Sequence, residues 1–86
     1  PHIGWNEVHI VKESPLFTDI PSDHDFYFVH SYAVTNTNTE DVLATTPYCN
    51  SFASVIQKGH IYGTQFHPEK SQKLGLQLLK NFLTLC

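Results

Sequence analysis

The feature that most constrains the fold of this sequence is a change of hydrophobic period at Ser71. Before it, apolar, aromatic and β-branched residues come in short runs, at 6–11, 26–34, 42–46, 52–57 and 60–66, each of which reads as a strand. After it, Leu74, Leu78, Phe82 and Leu85 recur at helical spacing with Leu79 and Leu83 beside them, and Ser71 stands where an N-cap belongs. Several strands followed by one amphipathic helix predict an α/β chain with hairpins. One helix is too few to cover both faces of a parallel sheet.

The punctuation between these runs is local and specific. Ser14-Pro15-Leu16-Phe17 predicts a helical turn with Ser14 capping and Pro15 at the first helical position, closed by Pro21. Residues 22–25 read as a polar turn and 35–41 as a surface loop. Lys58-Gly59 reads as the tight turn of a hairpin.

At 86 residues the chain makes one domain at most, and a chain of this size buries only about 60% of the surface its unfolded form exposes. Its first residues read as though cut from a longer chain, with neither a basic nor an apolar leader. The net charge is −3 and every basic residue is a scattered lysine. Without arginine the bidentate grip on phosphate or guanine is missing, so nucleic acid is not an expected partner. No apolar run reaches the roughly 18 residues of a membrane span. Cys49 and Cys86 lie far apart, which suggests neither a zinc knuckle nor a disulfide framework and points to a reducing, cytoplasmic setting. His2, His9, His24 and His60 have no ligand spacing, so no metal site is expected.

Chemistry concentrates in Gly63-Thr64-Gln65-Phe66-His67-Pro68-Glu69. His67 and Glu69 lie two positions apart where a strand gives way to a helix, and locally extended chain puts both on one side. A carboxylate that accepts from one imidazole nitrogen fixes the tautomer and leaves the other nitrogen free to take a proton from a nucleophile. The ordinary pKa of a histidine side chain, about 6.5, suits a base near neutrality. Pro68 stiffens the spacing. Taken as chemistry alone, a His-x-Glu pair on a short loop also fits a simple surface contact.

The whole heptapeptide resembles the His-Pro-Glu signature of the class I (triad) glutamine amidotransferases. Pro1-His2-Ile3-Gly4-Trp5-Asn6 and Phe26-Tyr27-Phe28-Val29-His30-Ser31-Tyr32 are similar to two signatures of the glutaminase subunits of imidazole glycerol phosphate synthases. The resemblance covers essentially the whole chain. It implies the C-terminal part of a flavodoxin-like amidotransferase domain with a mixed sheet, filling residues 1–86, while the part bearing the nucleophile lies upstream. It implies that His67 is the general base and Glu69 its orienter, and that Ser31 and Tyr32 hold glutamine, largely through backbone groups. It further implies that Trp5, Tyr27 and Lys70 face a cyclase subunit with a (β/α)₈ barrel, and that no cofactor is required. The nucleophile of that family is a cysteine on a Gly-flanked elbow. Cys49, in Tyr48-Cys49-Asn50, lacks the glycines, and Cys86 ends the helix, so the chain is expected to lack it and to be inactive alone. A paralogous glutaminase serving another pathway, or a non-catalytic binding module derived from an amidotransferase, fits the same residues.

Overall fold

The computed structural model describes residues 2–30, 38–48 and 51–85. Strand β1 (His2–Ile10) pairs antiparallel with β2 (His24–His30), in a register that sets Ile3 opposite Val29 and Trp5 opposite Tyr27. Period-2 alternation divides the two faces: Val8, Phe26 and Phe28 turn into the core, whereas Ile3, Trp5 and Val29 are exposed. The strand begins earlier than the alternation from residue 6 predicts, because β2 supplies a partner all the way to His2. Gly4, at φ 128°, takes a backbone conformation there that other residues rarely adopt.

Between β1 and β2 the predicted turn forms. Ser14 Oγ accepts from the Leu16 amide and Pro15 opens a 3₁₀ turn, Pro15–Phe17. Leu16 and Phe17 are buried. The polar turn predicted for 22–25 is shorter, since His24 and Asp25 already belong to β2.

The sheet is completed by β3 (Val42–Pro47), β4 (Ser51–Lys58) and β5 (Ile61–Thr64), in the order β2-β1-β3-β4-β5. Each of these pairings is antiparallel, with a bulge where β3 meets β4 and a hairpin joining Lys58 to Ile61. A second 3₁₀ turn, Thr39–Asp41, lies within the predicted loop. The last strand is shorter than predicted. Gln65 donates its amide to Ser54 C=O, and Phe66 then leaves to form an antiparallel bridge with Phe28. That bridge ties the end of the sheet at β5 to the end at β2. Phe26, Phe28, Phe52 and Phe66 fill the space between them, ring centroids 4.5–5.8 Å apart. Full burial of a side chain of this kind stabilises a fold by roughly 1.5–3 kcal/mol.

A third 3₁₀ turn, Pro68–Lys70, leads into α1 (Gln72–Leu85). Leu78 is buried and Leu74 and Phe82 pack against the core, Phe82 edge-on to Tyr62 at 5.9 Å. The rest of the predicted stripe is corrected: Leu83 is 73% exposed and Leu85 is exposed too, while Asn81 is buried. The helix crosses the Pro15–Phe17 turn, whose carbonyls need donors. Asn81 Nδ2 donates to Leu16 C=O at 2.8 Å and Thr18 C=O at 2.7 Å, and its Oδ1 accepts from Gln77. Among the described residues no helix is long and apolar enough to cross a membrane.

Asn81→Leu should therefore destabilise the protein despite its added apolar surface, because it strands the buried Leu16 carbonyl at a cost of about 1–3 kcal/mol. Denaturant unfolding measures this, and an unchanged midpoint would contradict it.

Candidate active site

The His67 segment is anchored before it reaches the histidine. Thr64 Oγ1 donates to Phe66 C=O at 3.0 Å, and the Phe66 ring is buried between Phe26 and Phe28. His67 then donates its amide to Tyr27 C=O at 2.8 Å. Pro68 starts the tight turn, whose carbonyl at residue 68 accepts from the Ser71 amide at 3.0 Å. That turn swings Glu69 back over the ring, and the carboxylate reaches the imidazole, as the spacing predicts: Glu69 Oε2 lies 3.1 Å from His67 Nδ1.

The chemistry of the contact assigns the ring hydrogen. The Glu69 carboxyl is held below its ordinary value, first by a hydrogen bond from its own amide, then by the His67 ring. Partial burial opposes this, and the charges of His67 and Lys70 add to it. An ionised carboxylate only accepts, so in the neutral ring Nδ1 carries the hydrogen and Nε2 the lone pair. Nε2 has no partner among the described residues, and the His67 side chain is 40% exposed. The arrangement is an imidazole whose tautomer is set from one side and whose other nitrogen meets no partner among the described residues.

Trp5 and Tyr27 are brought together on the outward face of β1 and β2, rings edge-on at 5.5 Å. Trp5 is 47% exposed, so it is a surface aromatic and not a core residue. Beside it opens a cleft of about 480 Å³, lined by Trp5, His24, Asp25, Gln72, Lys73 and Leu74 along with Ser71. Lys70 is exposed on the turn that carries Glu69. Ser31, Tyr32, Cys49 and Cys86 lie outside the described residues. Among the described residues, no three His, Cys, Asp or Glu side chains converge as a metal ion would need.

Two features were missed in the sequence. Ser71 occupies the position before α1, and its carbonyl accepts from the Gly75 amide, but its hydroxyl is not a helix cap. It donates to His67 C=O and accepts from the Tyr27 amide. The second is another histidine–carboxylate pair, His9 Nδ1 to Asp23 Oδ1 at 2.5 Å, with Ser22 Oγ donating to the same carboxylate oxygen. Those partners stand 14 residues apart, and hydrogen bonding beside β1 joins them: Asp23 N–H donates to Val8 C=O and Ile10 N–H to Ser22 Oγ.

The sequence profile of the family described as "Glutamine amidotransferase class-I" matches residues 1–86. The chain belongs to the class I glutamine amidotransferase family. It is 51% identical over 85 residues to the imidazole glycerol phosphate synthase subunit HisH of Pelagibacter ubique (strain HTCC1062), covering 99% of this chain and 41% of that protein. It is 53% identical to the subunit HisH 1 of Campylobacter jejuni (strain RM1221) over 85 residues, covering 99% of this chain and 42% of that one. To the HisH subunit of Methanocaldococcus jannaschii it is 51% identical, at 99% and 43% coverage. The chain thus spans about two fifths of the length of these relatives.

In the folded protein Asp23, bound first by His9, and Glu69 both titrate below their ordinary values of 3.8 and 4.5. A carboxyl depressed by folding lends stability that is present above its ordinary value and lost as the pH falls through its folded value. Denaturant unfolding midpoints should therefore drop below about pH 5, and the drop should be shallower in Asp23→Asn and in Glu69→Gln. Identical acid slopes in all three proteins would refute this.

Proposed function

We propose that this chain is the base-bearing part of a glutaminase that hydrolyses glutamine to glutamate and ammonia, as the glutaminase subunit of an imidazole glycerol phosphate synthase. The observation that carries the reading is the His67–Glu69 contact with Nε2 unpartnered among the described residues, set in a chain whose full length matches the amidotransferase family. The names of its relatives favour histidine biosynthesis over another pathway.

In the proposed reaction the nucleophile is a cysteine carried by a segment outside this chain. His67 Nε2 takes the thiol proton and the thiolate adds to the glutamine side-chain carbonyl carbon. The tetrahedral adduct collapses, the C–N bond breaks, and the leaving nitrogen takes the proton back from His67 to depart as ammonia. Water then adds to the thioester, giving its proton to His67 Nε2. Cleavage of the C–S bond returns that proton to the sulfur and releases glutamate. Throughout, Glu69 stays ionised, holds Nδ1–H and stabilises the imidazolium. The scheme calls for no cofactor.

Ser31 and Tyr32 hold the glutamine through backbone groups in this reading. Trp5, Tyr27 and Lys70 face a (β/α)₈-barrel cyclase that consumes the ammonia. Half-exposed aromatics with a neighbouring cation suit such a surface, because aromatic side chains are enriched at protein interfaces. The setting is cytoplasmic.

The test is glutamine turnover by the intact protein in complex with its cyclase. His67→Ala should abolish glutaminase activity, whereas synthesis fed by external ammonium should persist. Glu69→Gln should lose less, because it spoils orientation and leaves the base in place; the comparable carboxylate change in a serine triad costs about 10⁴ in turnover. Wild-type glutamine hydrolysis by His67→Ala would overturn the reading.

A further inference from the structure

We propose that Ser71 is the positioning residue of this site, its buried hydroxyl clamping the backbone of His67 to the open edge of β2. The proposal rests on the reading of His67 as the base.

The geometry is closed on every side. β2 stands at the end of the sheet, with β1 as its neighbour, and an edge strand presents amides and carbonyls that need partners. At Tyr27 both are taken by the segment from 67 to 71. The carbonyl accepts from the His67 amide at 2.8 Å, and the amide donates to Ser71 Oγ at 2.9 Å. Ser71 Oγ in turn donates to His67 C=O at 2.6 Å, and that carbonyl accepts also from the Lys70 amide at 3.1 Å. His67 is thus held at its amide and at its carbonyl, which leaves the side-chain torsions to be set by Glu69.

The position demands a group that donates and accepts at once in a space 2% exposed, which a short hydroxyl satisfies. Helix α1 presses the clamp from behind. A Cβ on Gly75 would lie 1.9 Å from Pro68 C=O and 2.8 Å from Ser71 Cβ, so only glycine lets the first turn of the helix sit this close to the Pro68–Lys70 turn. Ser71 and Gly75 together fix the height of the His67 backbone above β2, and through it the position of Nε2.

Ser71→Ala leaves the Tyr27 amide without its partner and frees one side of the His67 carbonyl. The clamp touches the backbone of the base and no group proposed to bind glutamine, so the loss should fall on kcat. A catalytic group displaced by about 1 Å can lose about 10²-fold. Ser71→Cys keeps a group that can both donate and accept, though a bulkier and more weakly bonding one, and should fall between Ser71→Ala and wild type.

The experiment measures glutamine hydrolysis by the intact protein with its cyclase, for Ser71→Ala, Ser71→Cys and His67→Ala, beside their denaturant unfolding. The result expected is a kcat lowered about 10- to 100-fold in Ser71→Ala and less in Ser71→Cys, with KM little changed and unfolding still cooperative. Wild-type kcat in both serine variants while His67→Ala is dead would overturn the clamp and leave the base intact. Loss of kcat, KM and cooperative unfolding together in both would overturn it as well, by making Ser71 merely structural. An active His67→Ala would instead remove the base reading on which the clamp depends.

Discussion

Everything at this site depends on how the open edge of β2 is satisfied. Tyr27 offers an amide and a carbonyl to solvent where a further strand would ordinarily add. Here the backbone of His67 and the hydroxyl of Ser71 take those places. One pairing solves two problems: it closes an edge that would otherwise invite association, and it fixes a histidine backbone at both ends. The Phe28–Phe66 bridge and the phenylalanine cluster beneath it make the pairing rigid, because they hold the end of β5 against β2 before the turn begins.

The His9–Asp23 pair shows that such a contact alone is not a catalytic signature. Its geometry is at least as close, and its carboxyl is depressed too, first by the hydrogen bond to His9, whereas Glu69 is held down first by its own amide and then by His67. What separates His67 is context. It follows a strand end locked into the core, and its backbone is held at both amide and carbonyl against the edge of β2. The chain that carries it belongs to a family of amidotransferases.

Local chemistry was legible in the sequence, and partnership across the fold was not. The Ser14 cap, the hairpin at Lys58-Gly59 and the reach of Glu69 to His67 are each decided within a few residues, so their signals survive without tertiary knowledge. Asn81 was invisible because its carbonyl partners, Leu16 and Thr18, come from the far end of the chain. The early start of β1 was hidden for a like reason, since the pairing with β2 and not the pattern of residues 2–5 makes it a strand. Ser71 misled most instructively. Serine before a helix reads as a cap, yet an edge amide and a strand-end carbonyl compete for the same hydroxyl, and they win.

The central claim is that this docking leaves His67 with its hydrogen on Nδ1, toward Glu69, and a lone pair on Nε2. Heteronuclear NMR of the imidazole nitrogens in the intact protein, at a pH where the ring is neutral, reads the tautomer directly. The account predicts a protonated Nδ1 and a bare Nε2, with the preference weakened in Glu69→Gln. A neutral ring carrying its hydrogen on Nε2 would contradict it.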